Sequence, residues 1–504
     1  MAEDNLIQER LKKLDELKEI GINPYPHNFK ITKHSKQIKE EHRALPPESK
    51  TETKECVAGR IMLFRHMGKA SFLTIQDEEG QIQIYIRSDD VGENYYNLLK
   101  KLDIGDIIGV KGKIFTTKTG EISIYAESFD LLCKSLKPLP EKFHGLKDTE
   151  QKYRKRHLDL IMNSESKEIF KKRLLIMQAI REFMIQRGFL EVETPILQEQ
   201  YGGAAAKPFK TFHNDLKMDL FLRISPELYL KKLLVGGFEK VFDINKNFRN
   251  ESIDTTHNPE FTMMEAYQAY ADYNDMMELM EQLYEFVAIK VLGTTKVIFK
   301  GQEVDVKAPW DRITMLDAIS EYAGIDAGNM TKEELEEYVI QNAIEFDKEL
   351  NWGNLVVAIY EAKCEHEFIN PTFVMHHPKE STPLCKRIRD NGDERLIERF
   401  EPMCMGMELG NAYSELNDPQ IQRQLLEDQQ RQLTAGNQEA NPIDESFLDA
   451  IETGMPPAGG IGIGIDRMIM ILLGQESIRD IIFFPTMKHQ QEAANSNSEN
   501  SKEN

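Results

Sequence analysis

Three rhythms of hydrophobic spacing divide the chain. Ile7, Leu11 and Leu14 recur at helical intervals, and Gly21 followed by Pro24 supplies a stop, so a short amphipathic helix opens the sequence. From about Glu55 the period shortens to two. CVAGRIMLF, SFLTIQ and QIQIYI read as strands, the last with Ile82, Ile84 and Ile86 on one face, and DIIGVKGKIF and ISIYAESFDLL follow a helical interlude near residues 91–102. EEGQ and KTGE carry glycine where hairpins need a positive backbone angle. Five strands with one helix after the third predict an OB-type barrel, a pattern that other small barrels share. PLPEKFHGLKD, with two prolines and a glycine, reads as a linker. From about Tyr153 helices and strands mix without strict alternation, which predicts an antiparallel sheet with helices packed on it. The expected fold is α+β: a helical extension at 1–54, the barrel at 55–138, a linker at 139–152, a large domain at 153–487, and a tail at 488–504 without large apolar residues, expected to be disordered.

Composition narrows the function. Of 504 residues, 40% are hydrophobic and 29% charged, and no apolar run approaches the roughly 18 residues that cross a bilayer, so a membrane role is not expected. The N-terminus has neither a secretory signal nor the acid-free, Arg-rich pattern of a transit peptide, which leaves the cytoplasm as the expected location. Cys56, Cys133, Cys364, Cys385 and Cys404 are scattered without a CxxC pair and read as reduced core thiols. A formal charge of -21 argues against non-specific nucleic-acid binding and confines any such contact to local patches. The basic run containing Arg154, Lys155, Arg156, Lys171 and Lys172 is one candidate patch, with a solvated helix face as the plain alternative.

Three segments carry chemistry. In VGGFEKVFDINKNFRNESIDTTHNPEFTMMEAYQAY, Gly236 and Gly237 turn into a strand whose alternation gives Asp243, Asn245, Asn247 and Arg249 one face. A loop with His257 and Pro259 follows, and a second strand sets Phe261, Met263, Glu265 and Tyr267 on one face. A cation, an anion and a phenol among sheet residues need partners, which an internal Arg–Glu pair or a ligand would supply. Downstream, Asn411, Tyr413 and Glu415 alternate onto one face, near Glu401 and Glu408. Glu408 and Asn411 differ in parity, so both can point inward only across a bulge, for which Gly410 is well placed. Carboxylate oxygens without His or Cys suit Mg²⁺, and an acidic surface strand is the alternative. Finally, PPAGGIGIGIDRMIMILLG is a glycine-interrupted apolar run that lets something approach its backbone. It lacks the GxGxxG register of a dinucleotide site.

In order, these segments resemble the three signature motifs of class II aminoacyl-tRNA synthetases, and in detail the lysyl-tRNA synthetase family, over roughly residues 5–487. RGFLEVETPIL is similar to the first motif, which in the family ends at a proline, here Pro195, and builds a homodimer interface. FRNE with HNPEF is similar to the second, and GIGIDR to the third. The resemblance implies an enzyme that activates L-lysine with ATP and transfers it to tRNA(Lys). It assigns Arg249 and Arg467 to catalysis and Arg249, Glu251, His257, Phe261, Glu408 and Arg467 to ATP, with Phe261 and Arg467 enclosing the adenine. It assigns Glu401 and Glu408 to Mg²⁺, more than one ion per site, bound with ATP. Gly203, Glu227, Arg249, Glu265, Tyr267, Asn411, Tyr413 and Glu415 would bind lysine, and Arg65, Phe72 and Gln83 in the barrel the anticodon. Position 413 is Tyr where many relatives carry Phe, and 412 is Ala where many carry Gly. Acidic pocket residues speak against the aspartyl and asparaginyl branches, and the barrel against lysyl-transferring paralogues that lack one. Intact Arg249, Glu401, Glu408 and Arg467 count against a scaffold that has lost catalysis.

Overall fold

Alternating apolar residues build the first unit. In the computed structural model, which describes residues 2–140, 148–346, 350–389 and 392–488, strands β1 (Lys50–Met67), β2 (Ala70–Gln76), β3 (Gln81–Arg87), β4 (Ile107–Thr116) and β5 (Ile122–Cys133) close into a barrel in the order β1-β2-β3-β5-β4. Only β3 and β5 run parallel. Leu73, Ile75, Ile82, Ile84 and Ile86 fill the interior while their sequence neighbours face outward, as period two requires. The barrel begins at Lys50 rather than Glu55, and the residues before it are part of its packing. Leu17 of helix α1 (Ala2–Glu19) and Ile38 of α2 (Ser35–Glu41) are buried in the barrel core.

One turn is made differently from expectation. Gly120 has the positive φ of 84° that its hairpin needs, whereas Gly80 is not among the positive-φ residues. There the Asp77 side chain accepts from the backbone N–H groups of Glu79 and Gly80, both at 2.9 Å, so an Asx turn does what a left-handed glycine would have done. Residues 141–147 of the expected linker and 489–504 of the expected tail lie outside the described residues.

The second unit, from Asp148, is organised on a nine-stranded sheet. Its strands are β6 (Leu190–Glu191), β7 (Lys240–Phe248), β8 (Glu260–Ala269), β9 (Asp311–Thr314), β10 (Thr372–Met375), β11 (Arg399–Cys404), β12 (Met407–Glu408), β13 (Gly410–Ser414) and β14 (Ala458–Gly464). They lie in the order β9-β10-β11-β13-β14-β8-β7-β6, with β12 paired to β11. The centre is antiparallel as expected, but both edge pairs, β6 with β7 and β9 with β10, are parallel. Helices α3 (Ser164–Gln186), α5 (Tyr273–Leu292) and α6 (Ile465–Leu473) share one apolar core with the sheet, through Ile180, Phe183, Met280, Leu283, Ile469 and Phe400. Helix α4 (Glu227–Val235) instead joins a second cluster with Tyr267 and Tyr413, which places it over the part of the sheet that carries the polar strand residues.

Arg156 in the basic run, and Lys152 and Arg173 at its two ends, serve this framework, while Lys155 and Lys172 are exposed. Arg156 is buried against Asp159 and the carbonyls of Arg479, Ile482 and Phe483, and Lys152 pairs with Asp480 at 3.1 Å. Arg173 meets Asp466 at 2.6 Å, and the other oxygen of Asp466 accepts the Thr262 N–H at 2.7 Å, so this aspartate locks the start of α6 to α3 and β8. The five cysteines are free thiols, and three of them are buried.

Candidate active site

The strand register gathers the polar residues that alternation singled out. Asp243 lies opposite Glu265, and Asn247 opposite Phe261, across β7 and β8; Glu265 and Tyr267 lie opposite Gly462 and Gly460 of β14. On the other side of β14, Asn411 and Tyr413 also face Gly462 and Gly460. The glycine run is therefore a gap flanked by functional side chains. A Cβ at Gly460 would fall 1.9 Å from Glu415 Oε1 and 2.4 Å from the Tyr267 ring, so this position must lack a side chain.

Two pocket carboxylates sit in this gap, and a third caps it. Glu227 opens α4, and Glu265, Glu415 and Glu227 are all at most 3% exposed. Glu265 accepts hydrogen bonds from the Ser225 hydroxyl at 2.7 Å and the Tyr267 hydroxyl at 3.1 Å. Burial, with Glu227 adding to it, nevertheless pushes the Glu265 carboxyl up to about 8. Asp243, behind it, is neutralised by Arg223 at 2.9 Å. Gly203, at φ 86°, brings its backbone so close that a Cβ would meet Ser225 Oγ and Glu227 Cβ at 2.8 Å each.

Sequence reasoning missed a cation here. Lys231, fully buried one turn along α4, places its Nζ 2.6 Å from Glu227 and 2.5 Å from Glu415. Burial lowers its pKa, but the two carboxylates outweigh that and hold it above its ordinary value. The only local signal was the Glu-to-Lys spacing of four, which any helix surface can show. Apart from the Lys231 contact, neither oxygen of Glu415 has a hydrogen-bond partner among the described residues, and burial, opposed by Lys231 and reinforced by Glu227, lifts its carboxyl to about 8.

A second group lies toward the other end of β8. Arg249, just beyond β7, has its guanidinium 5.1 Å from the Phe261 ring, and its buried Nε has no hydrogen-bond partner among the described residues. Arg467, in the first turn of α6, donates to the Glu408 carbonyl at 2.5 Å and lies 3.1 Å from His257 Nε2, while Asp254 holds the other ring nitrogen at 2.8 Å. Glu251 is exposed in the loop between β7 and β8.

The expected bulge is present. Met403 pairs with Glu408 but Phe400 with Ala412, so one extra residue stands between Glu408 and Ala412. Arg399, a second residue that the motifs did not reveal, donates to Asn411 Oδ1 at 2.8 Å and also pairs with Glu401. Burial and the Glu401 charge raise the Glu408 carboxyl, although its side chain keeps 40% of its surface open to the cleft. Half-buried Glu365 is pushed to about 7 by burial and by Glu361, Glu401 and Glu408. Among the described residues, no three His, Cys, Asp or Glu side chains are grouped so as to hold a metal by themselves.

In the barrel unit, Arg65 lies directly opposite Phe72, and Phe72 opposite Tyr85, with the two rings 4.7 Å apart. Phe72 is on the outer face, between inward Ser71 and Leu73, so it is not a core aromatic. Gln83 accepts from the Ser123 hydroxyl at 3.0 Å on the same sheet.

This arrangement, a mainly antiparallel sheet with an arginine over an aromatic ring, a carboxylate pair on a bulged hairpin and an Arg at the head of a glycine-fed helix, is that of a class II synthetase core. Residues 148–488 match the model of the family described as tRNA synthetases class II (D, K and N), and residues 56–132 that of the OB-fold nucleic acid binding domain. Relatives called lysine–tRNA ligase are similar over nearly the whole chain. The protein from Moorella thermoacetica is 50% identical over 97% of this chain and 99% of its own length, that from Clostridium novyi 52% over 96% and 94%, and that from Pelotomaculum thermopropionicum 51% over 96% and 95%. The chain belongs to the lysine–tRNA ligase family of class II aminoacyl-tRNA synthetases.

Proposed function

We propose that this chain activates L-lysine with ATP, forming lysyl-adenylate and pyrophosphate, and transfers lysine to tRNA(Lys), with its residues in the following roles. The observation that carries lysine as substrate is the buried pocket of Glu227, Glu265 and Glu415, whose charge the protein itself only partly offsets. Glu265, Glu415 and Tyr267 receive the ε-ammonium, Glu227 and the backbone at Gly203 the α-ammonium, and Asn411, held by Arg399, the carboxylate end. Tyr413 closes the pocket wall.

Arg249 has a buried Nε without a hydrogen-bond partner among the described residues, and a guanidinium offers a planar fork to the substrate carboxylate and the α-phosphate together. Phe261 and Arg467 enclose the adenine, and Glu251 and His257 border the nucleotide. The nucleophile is the lysine carboxylate, already ionised at neutral pH, so one carboxylate oxygen attacks the α-phosphorus, the bond to pyrophosphate breaks, and no general base is required. Catalysis is then positioning and neutralisation of the developing charge.

Glu401 and Glu408 are neighbouring carboxylates on one hairpin, with mutual repulsion raising Glu408, which is the donor set a hard divalent cation relieves. Mg²⁺ ions held there with the nucleotide would supply charge neutralisation on its phosphates. Phe72, with Arg65 and Gln83, offers an anticodon base a stacking face. Leu174, Leu175 and Ile185 of α3 and Leu190, Ile196 and Leu197 after it are exposed, an apolar surface around Pro195 that a second copy in a homodimer would cover. Among the described residues no helix is long and apolar enough to cross a membrane. Charging tRNA for protein synthesis is the role that supports a cytoplasmic location for this reading. Lysine-dependent exchange of pyrophosphate into ATP, tested with every amino acid, is the direct check. Exchange driven equally by aspartate, or independent of any amino acid, would sink the assignment.

A further inference from the structure

The lysine pocket contains one more charge than its proposed ligand contacts use. Lys231 is held on the same side of α4 as Glu227 by the i, i+4 spacing, and it reaches across to Glu415 beyond β13. The groups facing this pocket are Glu227, Glu265, Glu415, Lys231, Tyr267, Tyr413, Cys385 and Arg223, and Arg223 is already matched by Asp243. Ionised, the set holds three negative charges and one unmatched positive charge. It therefore lacks two positive charges, and a lysine substrate brings two ammonium groups while Arg249 answers its carboxylate.

We propose that Lys231 is a positioning and specificity-determining residue, a built-in cation that fixes the pocket's charge deficit at two and holds Glu227 and Glu415 apart at the places where the two ammonium groups of lysine bind. The inference rests on the assignment of this pocket to lysine. An uncompensated carboxylate in a dry site takes up a proton instead of remaining charged. Without Lys231, Glu227 and Glu415 lose their shared partner, so the Glu415 carboxyl, already raised by burial, is raised further, and its proton leaves to admit lysine only at higher pH. Gly460 matters in the same way, since only a missing side chain leaves Glu415 Oε1 free toward the ligand.

The test uses the full chain with Lys231→Met, which keeps length and bulk but not charge, in lysine-dependent pyrophosphate exchange from pH 6 to 9. The KM for lysine at pH 7 should rise at least about tenfold, and the pH at which it reaches its minimum should move up by about one unit, while kcat at saturating lysine and the KM for ATP stay within about threefold. In Lys231→Ala, n-propylammonium, but not n-propanol, should lower the lysine KM again by occupying the vacated site. A folded Lys231→Met protein with the wild-type lysine KM and pH profile would overturn the proposal, as would equal rescue by the alcohol. If the methionine variant is not recovered folded, Lys231→Gln provides the same comparison. Failure of the pocket assignment itself looks different, because Glu415→Gln would then also leave the lysine KM unchanged.

Discussion

The Tyr413 hydroxyl lies 2.8 Å from both carboxylate oxygens of Glu227. A phenylalanine here could not donate this bond, and a hydrogen bond to a buried charge contributes on the order of 1.5–3 kcal/mol. Lys231 still pairs with Glu227 in its absence, which softens the loss. Tyr413→Phe should therefore raise the KM for lysine by about three- to tenfold with kcat nearly unchanged. Exchange kinetics with lysine varied at saturating ATP check this, and a fall in kcat with unchanged KM would remove Tyr413 from the ground-state pocket.

Protonation of the empty pocket sets a pH dependence. Glu265 and Glu415 titrate near 8 in the folded chain, far above an unfolded glutamate, so between about pH 4.5 and 8 the folded state holds more protons than the unfolded state. Stability contributed by these groups is present at the acid end and lost as pH rises toward 8, by about 1.4 kcal/mol per pH unit for each excess proton. Thermal unfolding without ligand should show the Tm difference between wild type and Glu265→Gln growing in favour of the variant from pH 6 to 8. Lysine should raise the wild-type Tm more at pH 8 than at pH 6. A difference that does not change with pH would contradict the raised carboxyl.

Gly460→Ala tests the approach distance. The added Cβ would fall 1.9 Å from Glu415 Oε1, far inside van der Waals contact, so the carboxylate must swing out of the gap or the strands must part. Lysine activation should fall by at least about a hundredfold, with secondary structure by circular dichroism retained and the KM for ATP less affected. Normal activation would show that Glu415 does not need its present position.

Phe72→Ala should weaken tRNA charging while leaving lysine-dependent exchange near normal, because the ring is on the outer face of the barrel and is absent from its core. Base–aromatic stacking contributes about 1–3 kcal/mol, which corresponds to a rise of roughly five- to 150-fold in the KM for tRNA. Comparing exchange with charging on one protein preparation separates the two steps. Equal loss of both would mean that Phe72 holds the fold.

The sequence by itself determined what depends on short-range periodicity. Alternation placed Ile82, Ile84 and Ile86 inside the barrel, set Glu265 and Tyr267 on one face of β8, and required a bulge between Glu408 and Asn411. Those features follow from the two-residue repeat of a strand, which any local stretch displays. Tertiary structure alone decided the charge of the pocket. Lys231 looks like the outer face of an amphipathic helix until α4 is laid over β7 and β8 and Glu415 comes within reach, and Arg399, with Glu401 two residues along the same strand, looks like any strand arginine until the hairpin folds Asn411 beside it. At Gly80 the difference is local instead, because Asp77, three residues earlier, makes the turn that glycine was expected to make. Electrostatic partners are chosen by distance in space, and burial multiplies their effect, so a residue's role as counter-ion becomes readable only once distant segments are packed together.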